Sequence, residues 1–361
     1  MVRKSPDGSE SRMKIIHILP ELEEGGVERH VLWLTEELSC RGHEVAVMSS
    51  GGKMVSRLAP GVKHLALPVD VKNPLTAFFC ARRIAYLAAR EKVQLLHAHS
   101  RVPAWIARWA GGMAKIPYVV TAHVVFGNKT PWIYSPYRKA GKVICVSSAV
   151  EEGMTACFSG NTKVILNGMP ETDFLWKGPA DGITRFLFIG RLSPVKGIQD
   201  IVEILPLLQG GWTLDVVGDG PLFDTLSARI KELGLNERVF LHGFRDDTDR
   251  WLSECSCLLF PSYTEGMPLT LARAVQMGVP VLASSIPPVV EMAEAEEGLL
   301  PPGDKGLWRG ALQSVLEGNI DYPRFSSEKI PTVKKMTDEV ESVYAEVCAR
   351  GGKYENPPLC E

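Results

Sequence analysis

The stretch FIGRLSPVKG sets Arg191 and Lys196 five positions apart, across a turn that contains Pro194 and ends near Gly197. Two cations after a strand and beside a helix start suit a diphosphate, because arginine offers a planar fork of donors and lysine a compact charge. VVGDGPL supplies a second tight turn through Gly218, Asp219, Gly220 and Pro221, too short to be a full dinucleotide fingerprint. LHGF places Phe244 where an aromatic ring can face a base or simply fill the core. In EGMPLTLARAVQMG, Glu265 and Gly266 precede Met267 and Pro268, and a proline suits the first position of a helix. The unpaired N–H groups of that first turn attract an anion, whereas Glu265 is a better acceptor for hydroxyls. Gly25 and Gly26 in EEGGVERH allow either a close backbone approach to a ligand or a plain tight turn. His97 and His99 in HAHS alternate, so a strand would point both to one side, either as ligands or as packed core histidines.

These residues need elements to position them. Apolar runs such as KIIHILP, HEVAVMSS, QLLHAHS, PYVVTAH and KVICVSS alternate with helical patterns. The pattern restarts with RFLFIGRL, WTLDVVGDG, RVFLHGF, CSCLLFPS and PVLASS. Strands that are apolar almost throughout belong to parallel sheets buried on both faces, and strand–helix alternation predicts doubly wound α/β units. Two such sets predict two Rossmann-like domains, over residues 13–170 and 183–331, joined near GMPETDFLWKGPADG. A final helix over 332–350 is expected to pack across the domains or to cap one of them. Residues 1–12 read as a loose polar extension without the apolar centre of a signal peptide. In parallel sheets of this kind ligands sit at the carboxyl ends of strands, which is where the residues above fall.

Composition is that of a globular protein of 361 residues with a formal charge of −2, and no apolar run approaches a membrane span. The eight cysteines lack zinc-site spacing. Cys255 and Cys257 read as buried thiols on one face of a strand in a reducing cytoplasm. The charge is uneven: through Asp173 there are 22 Lys and Arg against 15 Asp and Glu. Between Lys72 and Lys142 the bias sharpens to twelve basic residues against Glu91 alone. Such a stretch suits an anionic membrane or lipid-linked substrate, or a solvated face. No nucleic-acid recognition module accompanies it, so no nucleic-acid partner is expected.

The order of GGVER, HAHS, VILNG, IGRLSPVKG, VVGDGP, LHGF and PSYTEGMPLTLARAVQMGVPVLAS resembles the GT4 family of retaining glycosyltransferases, over nearly all of Met13 to Arg350. The resemblance implies the GT-B fold, two Rossmann-like domains facing across a cleft, with the nucleotide-sugar donor on the second and the acceptor on the first. It implies that Arg191 and Lys196 neutralise the donor diphosphate. It places His123, in TAHVVFG, against the donor sugar, and Glu265 there too as the first glutamate of the E-x7-E motif. Gly25, Gly26, Gly218, Gly220, Phe244, Gly266, Met267, Pro268, Leu269, Thr270 and Arg273 would line the donor, and His97 and His99 the acceptor. The chain departs from the motif at its second glutamate, where Arg273 stands; arginine cannot accept the ribose hydrogen bonds and would instead pair with Glu265 or reach a phosphate. Asp247-x-Asp249 in RDDTDR has the spacing of the metal motif in the other large glycosyltransferase fold, but its place before a helix favours capping.

The expectation is a hexosyltransferase using a UDP- or GDP-type sugar, without cofactor or metal. It would act on a glycan or lipid-linked acceptor in polysaccharide or lipopolysaccharide assembly, in the cytoplasm or on the inner face of the membrane. Alternatives are a sugar-nucleotide epimerase on the same fold and a catalytically silent nucleotide-sugar-binding protein.

Overall fold

The computed structural model describes residues 12–127, 130–158 and 160–351. Lys129 of the basic stretch and residues 1–11 of the expected extension lie outside them. The chain divides into two compact units, one running to Pro170 and resuming at Pro331, the other spanning Glu171–Ile330.

The first unit runs β1 (Lys14–Ile18), α1 (Gly26–Cys40), β2 (Glu44–Ser49), β3 (Lys63–Ala66), α2 (Pro74–Glu91), β4 (Leu95–His99) and α3 (Arg101–Ala114). It continues through β5 (Tyr118–Ala122), α4 (Ser135–Arg138), β6 (Lys142–Cys145), α5 (Ser148–Phe158) and β7 (Thr162–Val164). Its seven strands are parallel in the order β3-β2-β1-β4-β5-β6-β7. The second unit runs β8 (Thr184–Ile189), α6 (Ile198–Ile204), β9 (Trp212–Val217), α7 (Phe223–Glu232), β10 (Val239–Gly243) and α8 (Thr248–Glu254). It ends with β11 (Cys257–Phe260), α9 (Leu269–Met277), β12 (Val281–Ala283), α10 (Pro287–Val290) and α11 (Lys305–Glu317). Its five strands are parallel in the order β10-β9-β8-β11-β12. In both sheets the winding direction reverses beside the first strand, between β1 and β4 and between β8 and β11. At such a switch point neighbouring loops diverge and leave a crevice at the carboxyl ends.

Local signals set the helix limits. Asn73 caps α2 by accepting from Leu75 N at 2.9 Å, with Pro74 in the first turn. Asp304 caps α11 through Leu307 N at 2.9 Å, and Gly318 closes it at φ 69°. Helix α9 starts one residue later than the sequence suggests: Pro268 is its cap, not its first residue, and donates no N–H there.

The last helix, α12 (Val333–Gly351), belongs by its contacts to the first unit. Met336, Val340, Val343, Tyr344 and Val347 join the core formed by Leu34, Leu38, Leu95 and Val119. Full burial of such side chains contributes roughly 1.5–3 kcal/mol each, which outweighs any surface contact. Arg41 adds ion pairs to Asp338 and Glu341 at 2.6 Å, and His43 meets Glu341 at 2.7 Å. Of the two placements expected for it, the helix takes that of a cap on the first unit's core. Cys255 also differs from expectation: it follows α8 and precedes β11, although both it and Cys257 are buried free thiols.

Candidate functional site

The switch point of the second unit gathers the strongest candidates. Arg191 and Lys196 leave β8, and Glu265 leaves the adjacent strand β11. Strand adjacency brings Lys196 Nζ to 2.6 Å from Glu265 Oε1, with the carboxylate side chain 10% exposed. An ammonium has three donors, so one bond to Glu265 leaves two for an anion. Glu265 therefore holds Lys196 in place as well as offering an oxygen to a hydroxyl. Arg191 is exposed at the start of the same loop. Gly266, Met267 and Pro268 are buried beneath the start of α9, and Leu269 and Thr270 form its partly exposed first turn.

Gly218 and Gly220 have a packing reason to be glycine. Their φ angles are 145° and 155°. A Cβ on Gly218 would lie 1.9 Å from Gly190 O, and one on Gly220 would lie 2.5 Å from Leu192 O. The turn after β9 is pressed against the loop that carries Arg191, and Leu192 N donates to Asp219 O at 2.9 Å. These glycines thereby fix the cation-bearing loop. Phe244 is partly buried just beyond β10. Nearby His242, unremarked in the sequence, bonds Asp215 at 2.6 Å and lies 4.4 Å from Trp251.

The structure pairs Arg273 with Asp249 rather than with Glu265. Its Nε lies 3.4 Å from Asp249 Oδ1, and its Nη1 donates to Gln276 Oε1 at 3.1 Å. Burial pulls the guanidinium pKa down against the opposing pull of Asp249. Asp249 Oδ2 in turn accepts from Thr172 Oγ1 at 3.0 Å. The two carboxylates of the Asp-x-Asp pair are thus engaged with protein donors, and neither makes the expected side-chain cap. Asp247 occupies the cap position of α8, yet its carboxylate accepts from Arg245 and Trp251.

At the first unit's switch point the structure assembles more than the sequence announces. His97 and His99 on β4 and His123 after β5 are joined by His17 on β1 and His30 on α1. All five are buried, and His97 and His99 present no exposed surface to an acceptor. His17 sits opposite His97 in the β1–β4 register. His17 Nδ1 lies 3.1 Å from His99 Nε2, and His99 Nδ1 lies 3.1 Å from His123 Nε2. His97 bonds Tyr344 Oη at 2.6 Å and Thr121 Oγ1 at 2.7 Å. Burial, reinforced by neighbouring histidines, lowers His17 to about 3 and pushes His97 and His99 well below 6.5. Burial alone is the main cause for His30, lowered to about 4, and for His123, also well below 6.5. Gly25 caps α1 with an extended backbone at φ −175°, which any residue adopts. Its missing side chain makes room for Glu28, whose Oε2 would lie 2.3 Å from a Cβ there. Gly26 is the first residue of α1.

Two parallel doubly wound units, each with its polar residues gathered at the switch point, define a GT-B-type α/β protein. The model described as Glycosyl transferases group 1 matches residues 176–330, and that of Glycosyltransferase Family 4 matches 24–172. The chain belongs to the GT4-type glycosyltransferases and is a transferase. It is 27% identical over 200 residues to the lipopolysaccharide 1,6-galactosyltransferase of Escherichia coli (strain K12). That match covers 52% of this chain and 55% of the relative, so the chain spans about half of that relative's length. It is 26% identical over 359 residues to one subunit of the human phosphatidylinositol N-acetylglucosaminyltransferase, covering 90% of this chain and 73% of the relative. HepE of Anabaena, solved in complex with UDP, shares the fold with a TM-score of 0.76 at 20% identity, over 92% of this chain and 100% of that one.

Proposed function

We propose that the enzyme is a retaining hexosyltransferase that moves a sugar from a nucleotide-diphosphate donor of UDP or GDP type to a lipid-linked glycan acceptor. The observation that carries this reading is the Lys196–Glu265 pair at the second switch point, with Arg191 on the same loop. Breaking the anomeric C–O bond sends its electron pair to the leaving phosphate. Lys196, Arg191 and the first-turn N–H groups of α9 stabilise that charge as fixed partners aimed at where it develops. The acceptor hydroxyl adds on the same face and gives its proton to the departing phosphate oxygen, which retains configuration. The two cations supply the positive charge a divalent ion would bring, so this step needs none. His123 is assigned to the donor sugar.

The lipid-linked acceptor is supported by the relatives named for lipopolysaccharide and phosphatidylinositol, and by one helix face. Leu75, Phe78, Phe79, Arg82, Arg83, Tyr86 and Arg90 recur at helical spacing on α2 and are all exposed. Its opposite face buries Ala77, Cys80, Ala81, Ile84 and Ala88. Exposed aromatics beside arginines suit an anionic bilayer surface, where each basic residue contributes about 1 kcal/mol. Among the described residues no helix is long and apolar enough to cross a membrane. We therefore assign the enzyme to peripheral work on the cytoplasmic face, in surface polysaccharide or lipopolysaccharide assembly.

The test is product analysis with purified protein, UDP- and GDP-sugars and lipid-linked acceptors. Transfer or slow donor hydrolysis is expected, falling by roughly 10²–10³ in Lys196→Ala with folding intact. Epimerised donor formed without acceptor, or no turnover of any donor, refutes the reading.

A further inference from the structure

We propose that His30, His99 and His123 form a binding site for a divalent transition-metal ion of the zinc class, bound through three imidazole nitrogens and completed by a water or hydroxide. One candidate ligand atom from each residue lies within 4.8 Å of the other two, and all three residues are buried. Zinc–nitrogen bonds of 2.0–2.1 Å in a tetrahedron require nitrogens about 3.3 Å apart. His99 Nδ1 and His123 Nε2 stand at 3.1 Å, close to that edge. His30 projects from α1 to the same place with Asn167 nearby, yet neither of its ring nitrogens completes a hydrogen bond by distance and angle. Leaving such a group buried costs roughly 1–3 kcal/mol, a cost that ligation removes.

The surroundings select the ligand set. His97 belongs to an alternative triad with His17 and His99, but both its nitrogens are committed to Tyr344 and Thr121. His99 instead keeps Nε2 against His17 Nδ1, the outer-shell bond that orients a ligating imidazole. The ligands come from α1, β4 and the end of β5, so an ion would tie the switch-point crevice of the first unit together. Neutral nitrogen ligands favour Zn²⁺, Co²⁺, Ni²⁺ or Cu²⁺, and disfavour Mg²⁺ and Ca²⁺, which demand oxygen. A hydroxide as fourth ligand would halve the ion's charge in a cluster that holds no carboxylate. The site shares only His123 with the transfer reading; His30 and His99 take no part in that reading and the proposed step routes nothing through an ion, so cobalt binding and donor turnover can fail separately.

Cobalt titration of the full-length, chelator-treated protein tests this directly. One equivalent of Co²⁺ should bind with visible bands of tetrahedral intensity, displaced by Zn²⁺, and Zn²⁺ but not Mg²⁺ should raise Tm by mass action. His30→Gln and His123→Gln should each weaken Co²⁺ binding at least tenfold, and His97→Gln should leave it intact. If those variants do not fold, the unmodified protein still decides through its spectrum and Tm. No cobalt uptake, thiolate-to-cobalt charge-transfer absorption, or undiminished binding in folded His30→Gln and His123→Gln overturns the proposal.

Discussion

Acid should unfold the first unit well before the second, and the histidine cluster sets the pH. His17, His30, His97, His99 and His123 all have folded pKa values far below the 6.5 they regain on unfolding. Their contribution is fully present above pH 6.5 and is lost as pH falls below it, because only the unfolded chain takes up the protons. Each such group removes about 1.4 kcal/mol per pH unit once its unfolded form is protonated. Five groups together remove roughly 7 kcal/mol between pH 7.5 and 5.5, comparable with the whole stability of an ordinary domain. The partners around the cluster do not offset this: Tyr344, Thr121 and Asn167 are uncharged there. Glu341 titrates lower still, since His43 and Arg41 outweigh burial and hold it below the usual carboxylate range. The assay is urea unfolding at pH 7.5, 6.5 and 5.5 with a chelator present, following tryptophans of each unit separately. His242 is the second unit's single histidine, so that transition should move little. His99→Gln should flatten the first unit's slope by about one proton, roughly 1.4 kcal/mol per pH unit. A first-unit stability that changes by less than about 2 kcal/mol from pH 7.5 to 5.5 refutes the neutral-cluster argument.

Two further outcomes follow from side-chain partners. Arg273→Glu restores the motif glutamate but sets it against Asp249, so thermal unfolding should show a loss of about 1–3 kcal/mol, largely recovered when Asp249→Asn is added. An unchanged Tm in Arg273→Glu would mean that the 3.4 Å pair does not form in solution. Binding to vesicles containing anionic lipid should weaken with salt, and should fall in Phe79→Ser and in the double substitution Arg82→Glu with Arg83→Glu. Equal binding to neutral vesicles, or no loss in these variants, removes α2 as the docking face.

What the sequence discloses here is burial, and what it conceals is pairing. KIIHILP and RFLFIGRL are legible as central strands because both faces are covered, so nearly every position is apolar. β3 and β7 escape notice because they are edge strands with no fully buried residue, which leaves no periodic signal. Arg191, Lys196 and Glu265 are found because switch-point loops follow strand ends that can be read locally. The bond between Lys196 and Glu265 depends on β8 and β11 being neighbours, a fact of topology across 69 residues. His97 and His99 are paired by simple alternation, but His17 joins them only through the register that sets it opposite His97 across 80 residues of chain. Asp249 misleads for the same reason: beside a helix start it reads as a cap, and only the packing of α8 on α9 turns it toward Arg273. An odd charge inside a family motif is therefore best interpreted through the oppositely charged residue that the fold brings to it. At position 273 that residue lies on the preceding helix, so the arginine and its aspartate are one unit of change, and altering either alone tests packing before it tests ligand choice.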